Sequence, residues 1–184
     1  IEDDWTVNNS LKGNGGLHYS TFFVGNKQYS SFQPRISFRY LIDSKSSFKM
    51  GYAKMGQFLH LLTNSGIGLP TDLWVPATEK IKPQFSDQIA AGYARTFNDK
   101  IEVSLEGYYK TMDNLIEYKD GASFFDSQTD WQDKIHIGRG WSYGGELLIE
   151  KKMGKTTGWI GYTLSWTNRP VSYTHLRAHE TTEH

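Results

Sequence analysis

The stretch Ile101-Glu102-Val103-Ser104-Leu105-Glu106-Gly107-Tyr108-Tyr109-Lys110 alternates residue by residue. In an extended chain successive side chains point to opposite faces, so Ile101, Val103, Leu105, Gly107 and Tyr109 share one face and Glu102, Ser104, Glu106, Tyr108 and Lys110 the other. A helix would place its apolar residues three or four apart, and here they lie two apart. Working outward, Ile36, Phe38, Tyr40 and Ile42 alternate with Arg35, Ser37 and Arg39. Ile160, Tyr162, Leu164 and Trp166 alternate in the same way with Gly161, Thr163, Ser165 and Thr167. Tyr143, Gly145, Leu147 and Ile149 do so with Ser142, Gly144, Glu146 and Glu150, and only Leu148 breaks the pattern.

Short polar strings punctuate these segments: DSKS at 43–46, FNDK at 97–100 and KMGKT at 152–156 read as hairpin turns. Between them run long connections, about 59–84 and 119–136, rich in Asn, Ser, Gly, Pro and Asp. Connections of that length are commonly functional. The pattern predicts an all-β chain, an antiparallel meander of seven strands over 15–24, 32–42, 47–59, 85–97, 101–118, 137–152 and 158–168. Residues 1–14 read as a loop or strand end, because NNSLKGNGG interrupts whatever Trp5 begins. Short turns on one side and long loops on the other is the layout of an outer-membrane barrel.

Composition narrows the class. The 184 residues carry 20 basic and 20 acidic side chains, so no global field favours nucleic acid. The absence of cysteine removes disulfides, thiolate zinc sites and cysteine nucleophiles. No run approaches the ~20 apolar residues of a membrane helix. The chain has 6 Trp, 11 Tyr and 10 Phe, with a mean hydropathy of −0.57. A membrane barrel is compatible with that low mean, since its strands alternate lipid-facing with polar lumen-facing residues. A soluble β-sandwich is compatible too.

Several groupings tempt a chemical reading. His175, His179, Glu180 and His184 have helical spacing for a metal, but not in the order HExxH, and no metal or other cofactor is expected. Glu102 and Glu106, or Glu146 and Glu150, stand about 13 Å apart along one strand, too far for a glycosidase pair. Glu106 with Glu146 could approach across strands, yet a solvated polar face accounts for both. GNGG at 13–16, GIG at 66–68 and GRG at 138–140 lack the strand-to-helix setting and lysine of a phosphate loop. No GxSxG turn supports acyl transfer. The expectation is a protein without enzymatic activity.

On or beside the long loops lie His60, Asp72, Trp74, Tyr118, Phe124, Phe125 and Trp131. Aromatic rings beside polar groups suit stacking on a sugar or planar ligand, so these are the candidate ligand contacts. For Trp74 the favoured reading is structural, with the frame LPTDLWVP packing the loop onto a rim. Tyr40, Tyr52, Tyr93, Tyr109, Tyr143 and Trp166 fall on the apolar parity, where they would form an aromatic girdle in a membrane or core in a sandwich. Lys54 and Arg95 share that parity and fit a lipid face only at its margins or by snorkelling.

Taken together, FQPRISFRY, GQFLHLLTNSGIGLPTDLWVPATEKIKPQFSDQ, LEGYYKTMDNLIEYKDGA and GRGWSYGGELLIEKKMGKTTGWIGYTLSW resemble the C-terminal barrel region of TonB-dependent outer-membrane receptors of the Bacteroidetes type, over about 15–169. The resemblance implies a 22-stranded barrel, an N-terminal plug and uptake of a bulky nutrient, such as a siderophore, cobalamin, glycan or peptide. It implies energy from the TonB complex through an N-terminal region absent from this sequence, and a place in the outer membrane of a Gram-negative cell. Seven strands would then form an open arc, with its lipid face outward. Arg35, Arg39, Glu102, Glu106, Lys110, Glu146 and Glu150 would line the water-filled interior. The tail 170–184, with VSYTHLRAHETTEH from Val171, resembles translated sequencing-adapter read-through and is expected to be foreign. Two rivals remain at this stage, a passive porin-like barrel and a soluble carbohydrate-binding sandwich. The arc predicts that Ile101, Leu105, Ile160 and Leu164 are exposed; the sandwich predicts that a second sheet covers them.

Overall fold

The computed structural model describes residues 1–63, 72–119 and 130–170, with Thr63, Asp72 and the pair 177–178 described by backbone alone. The strands are β1 (Glu2–Thr6), β2 (Leu11–Val24), β3 (Lys27–Leu41), β4 (Ser46–Gln57), β5 (Leu59–Thr63), β6 (Asp72–Pro76), β7 (Gln84–Phe97), β8 (Ile101–Tyr118), β9 (Ile135–Lys151), β10 (Gly158–Asn168) and β11 (Arg177–Ala178). Nine of them form one antiparallel sheet in the order β1-β2-β3-β4-β7-β8-β9-β10-β11, and β5 and β6 form a separate hairpin. A meander follows from the sequence, because two- to six-residue polar turns can return a chain only to the strand beside it.

All seven predicted strands are present as β2, β3, β4, β7, β8, β9 and β10, and the longest shortfall is at the start of β3. Residues 1–14 differ from the expectation. They form β1 and the first residues of β2, joined by a turn in which the Asn8 side chain accepts from the backbone N–H groups of Ser10 and Leu11. The glycines that read as loop lie inside a strand because Trp5 of β1 covers them. A Cβ on Gly13 would meet the indole at 2.7 Å and one on Gly15 at 2.6 Å. The ring supplies the apolar cover that the glycines lack, so a glycine-rich string holds strand conformation.

The register gathers the apolar parity of every strand onto one face. Directly paired rows run Tyr40–Phe48–Tyr93–Leu105–Leu147–Tyr162 and Ile36–Tyr52–Ile89–Tyr109–Tyr143–Trp166. Nothing among the described residues covers this face: Leu105 is 59% exposed, Tyr162 61% and Ile160 71%. Ile101 and Leu164, predicted to be exposed as well, are half-buried. The buried hydrophobic residues Leu62, Val75, Ala77, Ile81, Ile116 and Ile135 all sit at the loop end, and none in the middle of the sheet. A soluble sandwich buries that middle against a second sheet, so the sandwich reading fails here. What remains is a sheet whose only suitable solvent on one side is lipid.

Lys54 and Arg95 are accommodated at the margins. Arg95 lies one row from the short-turn end with its guanidinium 5.4 Å from the Phe97 ring centre. Lys54 pairs across to Asp87 and lies 6.0 Å from the Phe85 ring, where the face has turned polar. Between these ends, Ile101 to Tyr109 span about 26 Å of strand, or about 20 Å of height at a usual barrel tilt of about 40°.

Candidate functional site

Two surfaces hold the candidate residues: the loop end and the polar face of the sheet. At the loop end, the 59–84 connection is mostly structured. In the β5–β6 hairpin His60 pairs with Val75 and Leu62 with Leu73, so these four share one side, while Leu59, Leu61 and Trp74 share the other. The first side packs into a cluster of Leu62, Val75, Ile81, Ile116 and Ile135, against which Leu73, Tyr118 and Trp131 also lie.

The apolar residues of β8 reach this cluster through a bulge. Asn114 has φ 59° and shifts the register between Asp113 and Leu115. One extra residue exchanges the faces of every residue beyond it, so Ile116 and Tyr118 move from the polar parity of Glu106 and Lys110 to the opposite side. The Asn114 amide donates to the Pro83 carbonyl at 2.8 Å and so fixes the chain returning into β7. The same return segment is held by the β2–β3 turn, where Gly25 at φ 52° brings the Asn26 N–H to the Glu79 carboxylate at 2.6 Å. Tyr29 donates to the Thr78 carbonyl at 2.8 Å, and the Thr78 hydroxyl donates to Gln132 at 2.6 Å.

The ligand candidates therefore separate. His60 is 0% exposed, with both ring nitrogens buried and no partner in hydrogen-bond geometry. Burial holds its pKa below the ordinary 6.5, opposed in part by the Lys82 backbone. It is a packing residue, not a presented one. Tyr118 and Trp131 are half-buried against the same cluster. Trp74 departs from the packing role favoured for it: its neighbours Leu73 and Val75 do the packing, and Trp74, 58% exposed, points away. Phe124, Phe125 and the side chain of Asp72 lie outside the described residues.

The polar face is more uniform. Arg35, Arg39, Glu102, Glu106, Lys110, Glu146 and Glu150 all project from the face opposite the apolar rows. Arg35 pairs with Glu2 of β1. Glu102 and Glu150 stand directly opposite one another, and Lys152 in the following turn binds both. Those carboxylates raise the Lys152 pKa, Glu102 foremost. Sequence reading missed Lys12 and Lys49, which join this face beside Arg39. Lys49 is legible in the alternation of FKMGYAK, whereas Lys12 lies in the glycine-rich stretch that reads as loop. Among the described residues no group of His, Asp and Glu is arranged to hold a metal.

An uncovered apolar face, a polar opposite face, short turns at one end and packed loops at the other define the wall of a transmembrane β-barrel. The family model "TonB dependent receptor-like, beta-barrel" matches residues 1–183, and the chain belongs to that family. It is an outer-membrane receptor and transport barrel, as the family's members are. Comparison with curated proteins and with solved structures gave no match. The family match runs on to residue 183, and beyond Pro170 only the backbone of Arg177–Ala178 is described, paired with Asn168 and Thr167.

Proposed function

We propose that this chain forms an arc of the 22-stranded wall of an active transporter, taking up a bulky nutrient with energy delivered by the TonB complex. The supporting observation is the two-faced sheet, with an apolar face that only lipid can cover and a charged face suited to a water-filled interior. The role is capture and passage without bond chemistry. Ligand is taken up at the loop end, and an N-terminal plug rearranges to open a path along the charged wall. Phe124, Phe125, Asp72 and the outward Trp74 are the loop contacts kept in this reading. The ligand class spans siderophores, cobalamin, glycans and peptides, because loops vary independently of the scaffold. The segment from Val171 is foreign in this reading. Sequencing of the source DNA through the codon for Pro170 tests that point, and a native frame continuing to His184 refutes it.

Cysteine labelling tests the orientation, with no native cysteine to interfere. In the chain folded into lipid vesicles, a Glu106→Cys thiol should react with a charged, water-soluble maleimide and a Leu105→Cys thiol should be protected. Equal reaction at both sites removes the membrane reading. Energy coupling separates this reading from a passive porin: uptake by cells carrying the receptor should cease when the proton gradient is collapsed. Persistent uptake would leave a porin.

A further inference from the structure

One cross-strand row on the polar face has segregated charges. It reads Lys12 (β2), Arg39 (β3), Lys49 (β4), Gly92 (β7), Glu106 (β8), Glu146 (β9) and Thr163 (β10), each directly paired with the next. Like charges directly opposite on neighbouring strands destabilise a sheet. Elsewhere on the same face several charges are paired, with Arg35 on Glu2 and Lys152 between Glu102 and Glu150. In this row Lys12, Arg39 and Lys49 have no ion pair among the described residues. Strand spacing puts the three cations across about 10 Å.

The row borders a groove of about 380 Å³ whose polar lining includes Asp4, Lys12, Asn14, Arg39, Lys49 and Glu106, with the Asp4 carboxylate accepting from the Asn14 side-chain amide at 2.7 Å. Gly51 and Gly92 form part of its floor. The Glu106 side chain explains Gly92, since a Cβ there would meet Glu106 Cγ at 2.9 Å. Gly51 has no such neighbour: a Cβ would find only ordinary contacts of 3.6 Å and 3.7 Å. Glycine inside a strand costs stability and often marks close approach of a ligand. The carboxylates of Glu106 and Glu146 repel an anion from the far half of the row, and Asp4 on the strand beside Lys12 bounds the basic half on its other side.

We propose that Lys12, Arg39 and Lys49 form a binding site for a free multivalent oxyanion, a solute bearing two or more phosphate, sulfate or carboxylate groups, on the inner wall. The inference rests on reading this face as the interior. Arg39, in the middle, offers a planar donor fork for two oxygens, and the lysines flank it as point charges.

The test is calorimetric titration of inorganic pyrophosphate into the folded full chain in neutral detergent, with strand content followed by circular dichroism. The chain should bind, more weakly as salt rises. Arg39→Gln should weaken binding about tenfold, and Lys12→Gln with Lys49→Gln should abolish it. Lys110→Gln, on the same face outside the row, should bind as the native chain does. Folded native chain that fails to bind, or equal weakening by Lys110→Gln, overturns the proposal. So does an intact receptor that fails to bind while this chain binds, since an acidic side chain of the same protein would then fill the row. Failure here with Glu106→Cys still open to the charged maleimide leaves the interior reading intact; binding with that thiol shielded removes the interior reading and with it the placement of the site on the inner wall.

Discussion

At the residue scale, His60 shows how one environment overrides a residue's usual repertoire. An imidazole next to a loop of aromatics reads as a ligand contact, yet its hairpin turns it inward and burial disfavours its charged form. A folded pKa below the unfolded 6.5 means that the unfolded chain binds the proton more readily. The contribution to stability is therefore complete above about pH 6.5 and is lost as the pH falls toward the lowered folded value. Hydrogen exchange should show the amides of β5 and β6 less protected at pH 5 than at pH 7.5. In His60→Leu that difference should shrink, and an unchanged pH response would assign it elsewhere. Trp5 works in the opposite sense, as a half-buried ring with a structural duty over Gly13 and Gly15. Trp5→Ala should destabilise the β1–β2 pairing by about 1 kcal/mol, seen as faster exchange confined to those two strands.

At the scale of the element, the bulge in β8 decides where the loop end packs. Without the extra residue Ile116 and Tyr118 would continue the parity of Glu106, and the β5–β6 hairpin would lose the surface it rests on. Asn114 suits the position because asparagine tolerates positive φ and its amide reaches the Pro83 carbonyl. Asn114→Val places a β-branched residue at positive φ and removes that bond, at a cost of about 2–3 kcal/mol. The loss should appear as protease sensitivity of 59–83 while the sheet between β2 and β10 stays paired; simultaneous loss of both would mean that the bulge supports the whole sheet. Nothing in the string TMDNLIEY announces the bulge, since Asn114 is also an ordinary polar residue in an alternating strand. The hairpin was hidden for a related reason: LHLLT and DLWVP are five-residue runs whose pairing depends on contacts far along the chain.

For the whole molecule, the decisive quantity is which solvent each face meets. Leu105 and Glu106 are adjacent in sequence and opposite in environment. Leu105→Arg puts a charge near the middle of the apolar face and should reduce folding stability in vesicles by about 2–4 kcal/mol. Glu106→Arg should change it by less than about 1 kcal/mol, because the site is exposed to water. Urea titration of both variants refolded into vesicles measures the contrast. Equal effects would mean that the two faces meet the same medium, contrary to the barrel wall.

The sequence by itself determined the strands, their antiparallel order and the two faces, because a period of two and short polar turns are local properties that any extended chain must express. It also carried the family, in four strings spread over most of its length. Only the tertiary structure decided that the apolar face has no covering sheet, that His60 and Tyr118 pack while Trp74 points out, and that Lys12, Arg39 and Lys49 line up opposite Glu106 and Glu146. Those facts depend on register and on one bulge, where a shift of a single residue exchanges the faces, and register is set by pairing between segments tens of residues apart.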